Sequence, residues 1–177
     1  IALMLVDSDR RVIKLNKKPK LIHYEYYIPD KKNHTELERM KHMKKYLYKL
    51  IDKYKITDVA IEEYIKFLPG KSQAKTILPL VAWNRVICFA VYEKLNREPH
   101  MYAVATIRAK MKPKGEKTPA KEDIPDLVSK YLNFEFPWEY KIISRGKNKG
   151  KKELLATNYD LADSMAVALT HAYKILE

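Results

Sequence analysis

Apolar residues recur along this chain at two different periods, and the switches between them mark out its elements. "IALMLVDSDRRVIKL" opens as an apolar run, breaks at the polar turn Asp7-Ser8-Asp9 and returns as a second run, which predicts two antiparallel strands. "KLIHYEYYIP" predicts a further strand, rich in Tyr and Ile and stopped by Pro29. Then the period lengthens. Leu37, Met40, Leu47, Leu50, Ile51 and Tyr54 repeat at helical spacing, behind Thr35 and Glu38 at the spacing of a capping box. "DVAIEEY" predicts a short strand whose apolar half runs straight into Glu62 and Glu63. After the break at Pro69-Gly70, "KTILPLVAWNRVICFAVYEKL" predicts a long apolar helix, with Pro79 marking a kink or a late start. "HMYAVAT" predicts the next strand. "IRAKMKPKGEKTPAKEDIP" is basic and punctuated by Pro and Gly, so it predicts a loop or mobile edge. "IPDLVSKYLNF" predicts a short helix, "KIISRGKNKGKKELLAT" a basic loop, and a final helix begins near Asn158.

Antiparallel strands followed by alternating strand and helix imply an α/β fold. The expected form is a mixed sheet, antiparallel in its first strands and then parallel, flanked by helices on both faces. At 177 residues without an internal repeat, residues 1–177 are expected to form a single domain. The sequence begins at Ile1, and initiator Met is normally trimmed only before small residues. Some N-terminal residues are therefore expected to be missing from it.

Composition narrows the functional classes. An apolar fraction of 46% with 11% aromatics describes a globular chain. Lys and Arg outnumber Asp and Glu by 35 to 22, a formal charge of +13, which points to a polyanionic partner. A membrane surface fits less well, because the charges do not lie on one amphipathic basic helix. A Lys-rich solvated surface is the competing account. The single cysteine, Cys88 in "RVICFAVY", reads as a small buried hydrophobe and excludes an intramolecular disulfide framework. A reducing, intracellular setting is expected, cytoplasmic or alternatively organellar. No apolar run reaches the length of a membrane span, and no signal-peptide pattern is visible.

The carboxylates change the picture further. Glu62 closes a strand expected to be buried, where an unpaired carboxylate is costly. Strand alternation sends Glu62 and Glu63 to opposite faces, so at most one serves a given site, and Glu62 holds the more fixed position. Both glutamates in a frayed, solvated strand end is the competing reading. Asp160 and Asp163 lie about 60° apart around the final helix and share a face. Capping accounts well for Asp160. It accounts less well for Asp163, which is set among Leu161, Ala162, Met165, Ala166 and Ala168. Two partly desolvated carboxylates repel unless a cation lies between them, and Mg²⁺ typically takes carboxylates together with phosphate oxygens.

"DVAIEEYIKF", the long apolar helix, "HMYAVAT", the basic "IRAKMKPKGEKTPAKEDI" and the closing "YDLADSMAVALTHAY" follow one another in an order that resembles the RuvC-type Holliday-junction resolvases of the RNase H-like superfamily. The pattern D-x-x-D-[AS]-x-A-x-A-x-T-H is its most specific part, and the hydrophobic-Ile-Glu strand end is the second. The resemblance covers the chain from Asp58 onward. The basic stretch from Arg145 to Lys152 is longer than in bacterial members, as in a divergent phage, viral or organellar branch.

The resemblance implies a homodimeric endonuclease that makes paired nicks in four-way DNA junctions, in recombination or repair. Four carboxylates there hold two Mg²⁺ ions about 4 Å apart, with Mn²⁺ an alternative. Glu62, Asp160 and Asp163 match three of the four as catalytic metal ligands. The fourth, a first-strand aspartate, is either Asp7 or lies upstream of Ile1. Lys110, Lys112, Lys114 and Lys117, with Arg145, Lys147 and Lys149, are the expected DNA contacts, against the alternative that they solvate their loops. Tyr64, Ile65 and Phe67 are either a wedge at the junction centre or core. The helix from Leu78 to Leu95 is apolar nearly all round, and the resemblance implies that it forms the dimer. His171, two turns beyond Asp163, is expected to be structural. Two other readings remain: another RNase H-fold nuclease, cutting RNA–DNA hybrids or acting like a transposase, and a catalytically inactive nucleic-acid-binding module.

Overall fold

The computed structural model describes residues 2–7, 19–64 and 74–174. The expected return strand after Asp9 and the Pro69-Gly70 break lie outside them. In chain order the elements are β1 (Ala2–Asp7), β2 (Lys20–Tyr26), α1 (Glu36–Tyr54), β3 (Ala60–Glu62), α2 (Ala74–Leu95), β4 (His100–Tyr102), α3 (Val104–Met111), a 3₁₀ turn (Lys121–Asp123), α4 (Ile124–Leu132), β5 (Tyr140–Ile142), β6 (Lys152–Leu154) and α5 (Thr157–Lys174). The fold is therefore mixed α/β. The chain packs as two compact units, Tyr27–Val104 and the remainder formed by Ile1–Tyr26 with Ala105–Glu177.

In the unit Tyr27–Val104, α1 starts at the expected capping box. Thr35 Oγ1 accepts from the Glu38 N–H at 3.3 Å, and the Glu38 carboxylate accepts from the Thr35 N–H at 2.8 Å. Two helical N–H groups that would otherwise lack partners are satisfied. Met40, Met43, Leu47, Leu50 and Ile51 form the buried face of α1. Leu37, expected in that face, is 77% exposed, because the stripe begins one turn later and Met43 completes it instead. Leu47 and Ile51 close on Ala90 and Val91 of α2, with Ile56, Val59, Ile87 and Leu95 packed around them. Lys44–Glu93 at 2.6 Å and Lys94–Asp52 at 2.7 Å bracket this α1–α2 contact.

β3 and β4 pair in parallel, Ala60 with His100 and Glu62 with Tyr102, joined through α2 as a parallel pair requires. Pro79 lies inside α2 rather than at a late start. "HMYAVAT" gives only a three-residue strand, since Val104 already begins α3. Burial of Ile107 and Met111 one turn apart outweighs the β-propensity of Val104 and Thr106. Lys110 consequently lies on a helix and not in a loop.

In the second unit β1 and β2 are antiparallel, Ala2 opposite Tyr26 and Asp7 opposite Lys20. β2 shows the period-two burial of a strand with one covered face. α5 packs against β1 and α4. Ile124, Val128 and Leu132 of α4 meet a core that contains Met111, Phe136, Leu161, Met165 and Leu169. The stretch expected as a basic loop is a hairpin: β5 and β6 pair antiparallel across residues 143–151. Gly146 and Gly150, at φ 82° and 86°, supply the left-handed positions of its turn. Among the described residues the strands form three two-stranded ladders, β1–β2 and β5–β6 antiparallel and β3–β4 parallel, so both kinds of pairing expected of a mixed sheet occur.

Leu47→Ala should lower the free energy of urea unfolding by about 2–4 kcal/mol, as for buried leucines generally, whereas Leu37→Ala should change it by less than about 0.5 kcal/mol. Equal effects of the two would contradict the placement of α1.

Candidate metal and nucleic-acid site

α5 begins at Thr157, so Asp160 and Asp163 occupy its first two turns on one face. Asp160 is exposed and accepts no hydrogen bond among the described residues, so it suits the helix N-terminus by its first-turn charge and not as a hydrogen-bonded cap. Asp163 is different. Its side chain is 31% exposed, between neighbours Leu161, Ala162, Met165 and Ala166 that show no exposed surface. Burial pushes its pKa above the usual carboxylate range, and Asp160 adds to the shift; Lys121 and Arg108 oppose it. Lys121 Nζ stands 3.6 Å from Asp163 Oδ2 and over the Tyr159 ring. The 3₁₀ turn that carries Lys121 is fixed by Asp123, whose carboxylate accepts from the Ala120 N–H at 2.8 Å. A pair of hard oxygen donors, one of them partly desolvated and balanced by an ammonium, has the chemistry of a divalent-cation site.

The backbone of Asp7 ends β1, opposite Lys20 of β2. The Tyr26 hydroxyl has a raised pKa through burial first and then the charges of Glu139 and Asp160.

Glu62 sits at the carboxyl end of β3, as expected, and is exposed; Glu63 is half-buried. The segment is pinned to α2: Asn84 Nδ2 donates to the Glu62 carbonyl at 3.1 Å, and Arg85 donates to Tyr64 Oη at 3.0 Å while lying over its ring. Tyr64 therefore packs against α2. Ile65 and Phe67 fall outside the described residues. A shallow groove of about 220 Å³ opens beside Glu62, lined by Glu63, Tyr64, Ile77, Leu80, Val81 and Asn84.

Of the expected cations, Lys110 lies on α3; Lys112, Lys114 and Lys117 follow it in an exposed stretch; Arg145, Lys147 and Lys149 are exposed in the β5–β6 loop. Along α2, Leu78, Leu80, Phe89 and Tyr92 are exposed while Ala90 and Val91 are buried, so the helix is apolar on more than one side. Cys88 is half-buried, and burial raises its thiol pKa. His171 is buried on α5. No helix of the described residues is long and apolar enough to cross a membrane. Sequence reasoning missed Lys121, which carries no periodic signal, and Asn158, whose buried amide is the polar exception at the head of an apolar helix.

An α/β frame that ends in an acidic helix head defines a class of fold before it defines a protein. Among solved structures the chain resembles Thermus thermophilus RuvC, at 20% identity and a TM-score of 0.63, covering 98% of this chain and 87% of that one. It is equally similar to T. thermophilus RuvC in complex with Holliday junction substrate, at 20% identity, a TM-score of 0.64 and coverage of 98% and 86%. The chain thus has a RuvC-like fold. No family model and no curated protein matches its sequence.

Asp163→Asn should stabilise the metal-free protein at neutral pH, raising Tm by about 1–3 °C, because it removes a desolvated charge without changing volume. The sign follows from the raised pKa. Folding takes up protons at this carboxyl, so its cost is present above the folded pKa and vanishes below the unfolded value near 4. The Tm difference between the variant and the native protein should close as pH falls through that window, measured by calorimetry in EDTA.

Proposed function

We propose that this chain is a Holliday-junction resolvase, a metal-dependent endodeoxyribonuclease that nicks paired strands of four-way DNA junctions. One observation carries the reading: Asp163 is a desolvated carboxylate on the same helix face as Asp160, balanced by the Lys121 ammonium rather than used as a cap. The RuvC-like fold and the excess of basic residues support it. In this reading residues 1–177 act as one RNase H-like nuclease domain, and Glu62, Asp160 and Asp163 hold Mg²⁺ or Mn²⁺.

Two such ions, when bound, would supply an activated water for in-line attack and stabilise the leaving 3′ oxygen. The chain's own residues do the rest. The buried face of α5 fixes the direction of Asp160 and Asp163, and the Asn84 contact fixes the backbone of Glu62. Lys121 holds the charge of Asp163 until a stronger cation replaces it. Lys110, Lys112, Lys114 and Lys117, with Arg145, Lys147 and Lys149, bind phosphates and make affinity fall with salt. The exposed apolar side of α2 pairs two copies, giving two cleavage centres about a two-fold axis.

The test presents the protein with a labelled four-way junction, a matched duplex and an RNA–DNA hybrid, in Mg²⁺ and in EDTA. Symmetric nicks on the junction alone are expected, abolished by EDTA. Asp163→Asn should slow them by more than about 100-fold, since even outer partners of metal ligands are worth 10–100-fold. Cutting of the hybrid alone would make the protein a different RNase H-fold nuclease. Binding without cutting in every condition would leave an inactive nucleic-acid-binding module.

A further inference from the structure

Among the described residues of its unit the β5–β6 hairpin is the most cationic exposed feature, and it takes no part in the core. Every residue from Lys151 to Leu154 is exposed, as are residues 140–142 and 144–150. Lys141, Arg145, Lys147, Lys149, Lys151 and Lys152 face a single carboxylate, Glu153, which pairs with Lys141 at 3.1 Å. Among the described residues the remaining cations meet no carboxylate: Lys151 donates to Asn148, and Lys152 lies over the Tyr140 ring. The register divides the ribbon into two faces. Lys141 and Glu153 share one; Tyr140, Ile142, Lys152 and Leu154 share the other. On the latter face Ile142 is 69% exposed and Tyr140 53%. An isolated two-stranded ribbon is marginal in water, and like charges strung along its turn oppose the compact form. Its composition suits a polyanion better than solvent.

Its base, in contrast, is rigid. Asn158, fully buried, donates from Nδ2 to the Glu139 carbonyl at 2.8 Å and accepts at Oδ1 from the Glu139 N–H at 2.9 Å. The Leu155 N–H adds a bond to the same carbonyl at 3.1 Å. Both ends of the hairpin are thereby tied to the first turn of α5, two residues before Asp160.

We propose that β5–β6 is a ribbon arm that docks on duplex DNA flanking the cleavage site. The cations of its turn contact phosphates, and its Tyr140–Ile142–Leu154 face lies toward the sugars and groove. A two-stranded ribbon fits the major groove, about 12 Å wide, and phosphates line both of its walls. Seven residues of extended chain reach at most about 23 Å from the Asn158 clamp. The arm's contacts thus fall within a span of about seven base pairs from the Asn158 clamp, at roughly 3.4 Å per pair. This location rests on the nuclease reading above; the docking itself does not.

The experiment measures equilibrium binding of the full protein to a plain duplex in EDTA across a series of KCl concentrations, for the native protein and for Arg145→Gln/Lys147→Gln/Lys149→Gln. These exposed side chains contribute nothing to the core, and circular dichroism verifies that the variant is folded. The slope of log affinity against log salt should fall by about 2.7, at 0.9 per lost phosphate contact, and duplex affinity should drop at least about tenfold at 0.1 M salt. A slope unchanged within about 0.5 would overturn the arm and leave the cations as a solvated loop. Hydroxyl-radical footprinting on a four-way junction supplies the second readout: protection lost in the variant should lie on the duplex arms flanking the crossover, and loss spread evenly over the DNA would also overturn it. A changed slope in a protein that never cuts DNA would sink the nuclease reading and keep the arm. Normal cutting with an unchanged slope would do the reverse.

Discussion

Burial of the last helix is the constraint on which the second unit depends. Leu161, Ala162, Met165, Ala166 and Leu169 have no exposed surface, and the small alanines let α5 approach β1 closely. Whatever lies between these residues on the helix is drawn toward the interior with them. Asp163 is such a residue, and its carboxyl is desolvated because its neighbours must be buried. Asp160, one turn earlier, escapes to solvent. A single packing requirement thus separates two chemically identical groups into a strained donor and a free one. The strain is met from outside the helix, by Lys121 and Arg108, rather than by the helix N–H groups.

Cations serve more than one purpose in this chain. In Tyr27–Val104 two of them finish contacts: Lys44 with Glu93 and Lys94 with Asp52 bracket the seam of α1 and α2, and each ammonium also lies over the Tyr48 ring, while Lys41, Lys45 and Lys49 of α1 stand exposed. Exposed pairs of this kind add little stability, but they leave no charge to attract a partner. Beyond Met111, Lys112, Lys114, Lys117 and the turn of β5–β6 stand exposed without carboxylates, while Lys121 goes to the acidic helix head. An overall excess of basic residues says only that a polyanion is favoured, and both units share it.

Much of this was legible in the sequence where local rules and burial agree. Thr35 and Glu38 form the capping box that their spacing predicts, and Asp160 and Asp163 share a face because a helical period leaves them no alternative. The misreadings arose where tertiary burial outweighed local preference. Val104 and Thr106 favour a strand, yet Ile107 and Met111 had an apolar surface to cover, and the helix that buries both prevailed. Lys-rich "KIISRGKNKGKKELL" reads as loop on composition, but its alternation of Tyr140 and Ile142 is strand-like, and the glycines at 146 and 150 close the turn. Lys121 was invisible for a different reason. Its pairing with Asp163 is fixed by the turn before α4 docking on α5, a relation between distant segments that no periodicity encodes. Whether β1 and β2 belong to one wider sheet was likewise beyond the pattern of their residues.

Burial decides which parts of such a chain are tightly specified. Core positions on α4 and α5 must fill volume, and the head of α5 must keep its direction, because interiors pack as densely as crystals and transmit any misfit. The β5–β6 ribbon is under neither demand. Its residues are exposed, so substitutions there leave both cores untouched and alter only what the ribbon can hold. Its root is nevertheless fixed, since the Asn158 amide ties the ribbon's base to the helix that carries the carboxylates. Freedom of composition at the tip and rigidity at the root are what allow affinity for an extended polyanion to change without disturbing the geometry of the acidic pair.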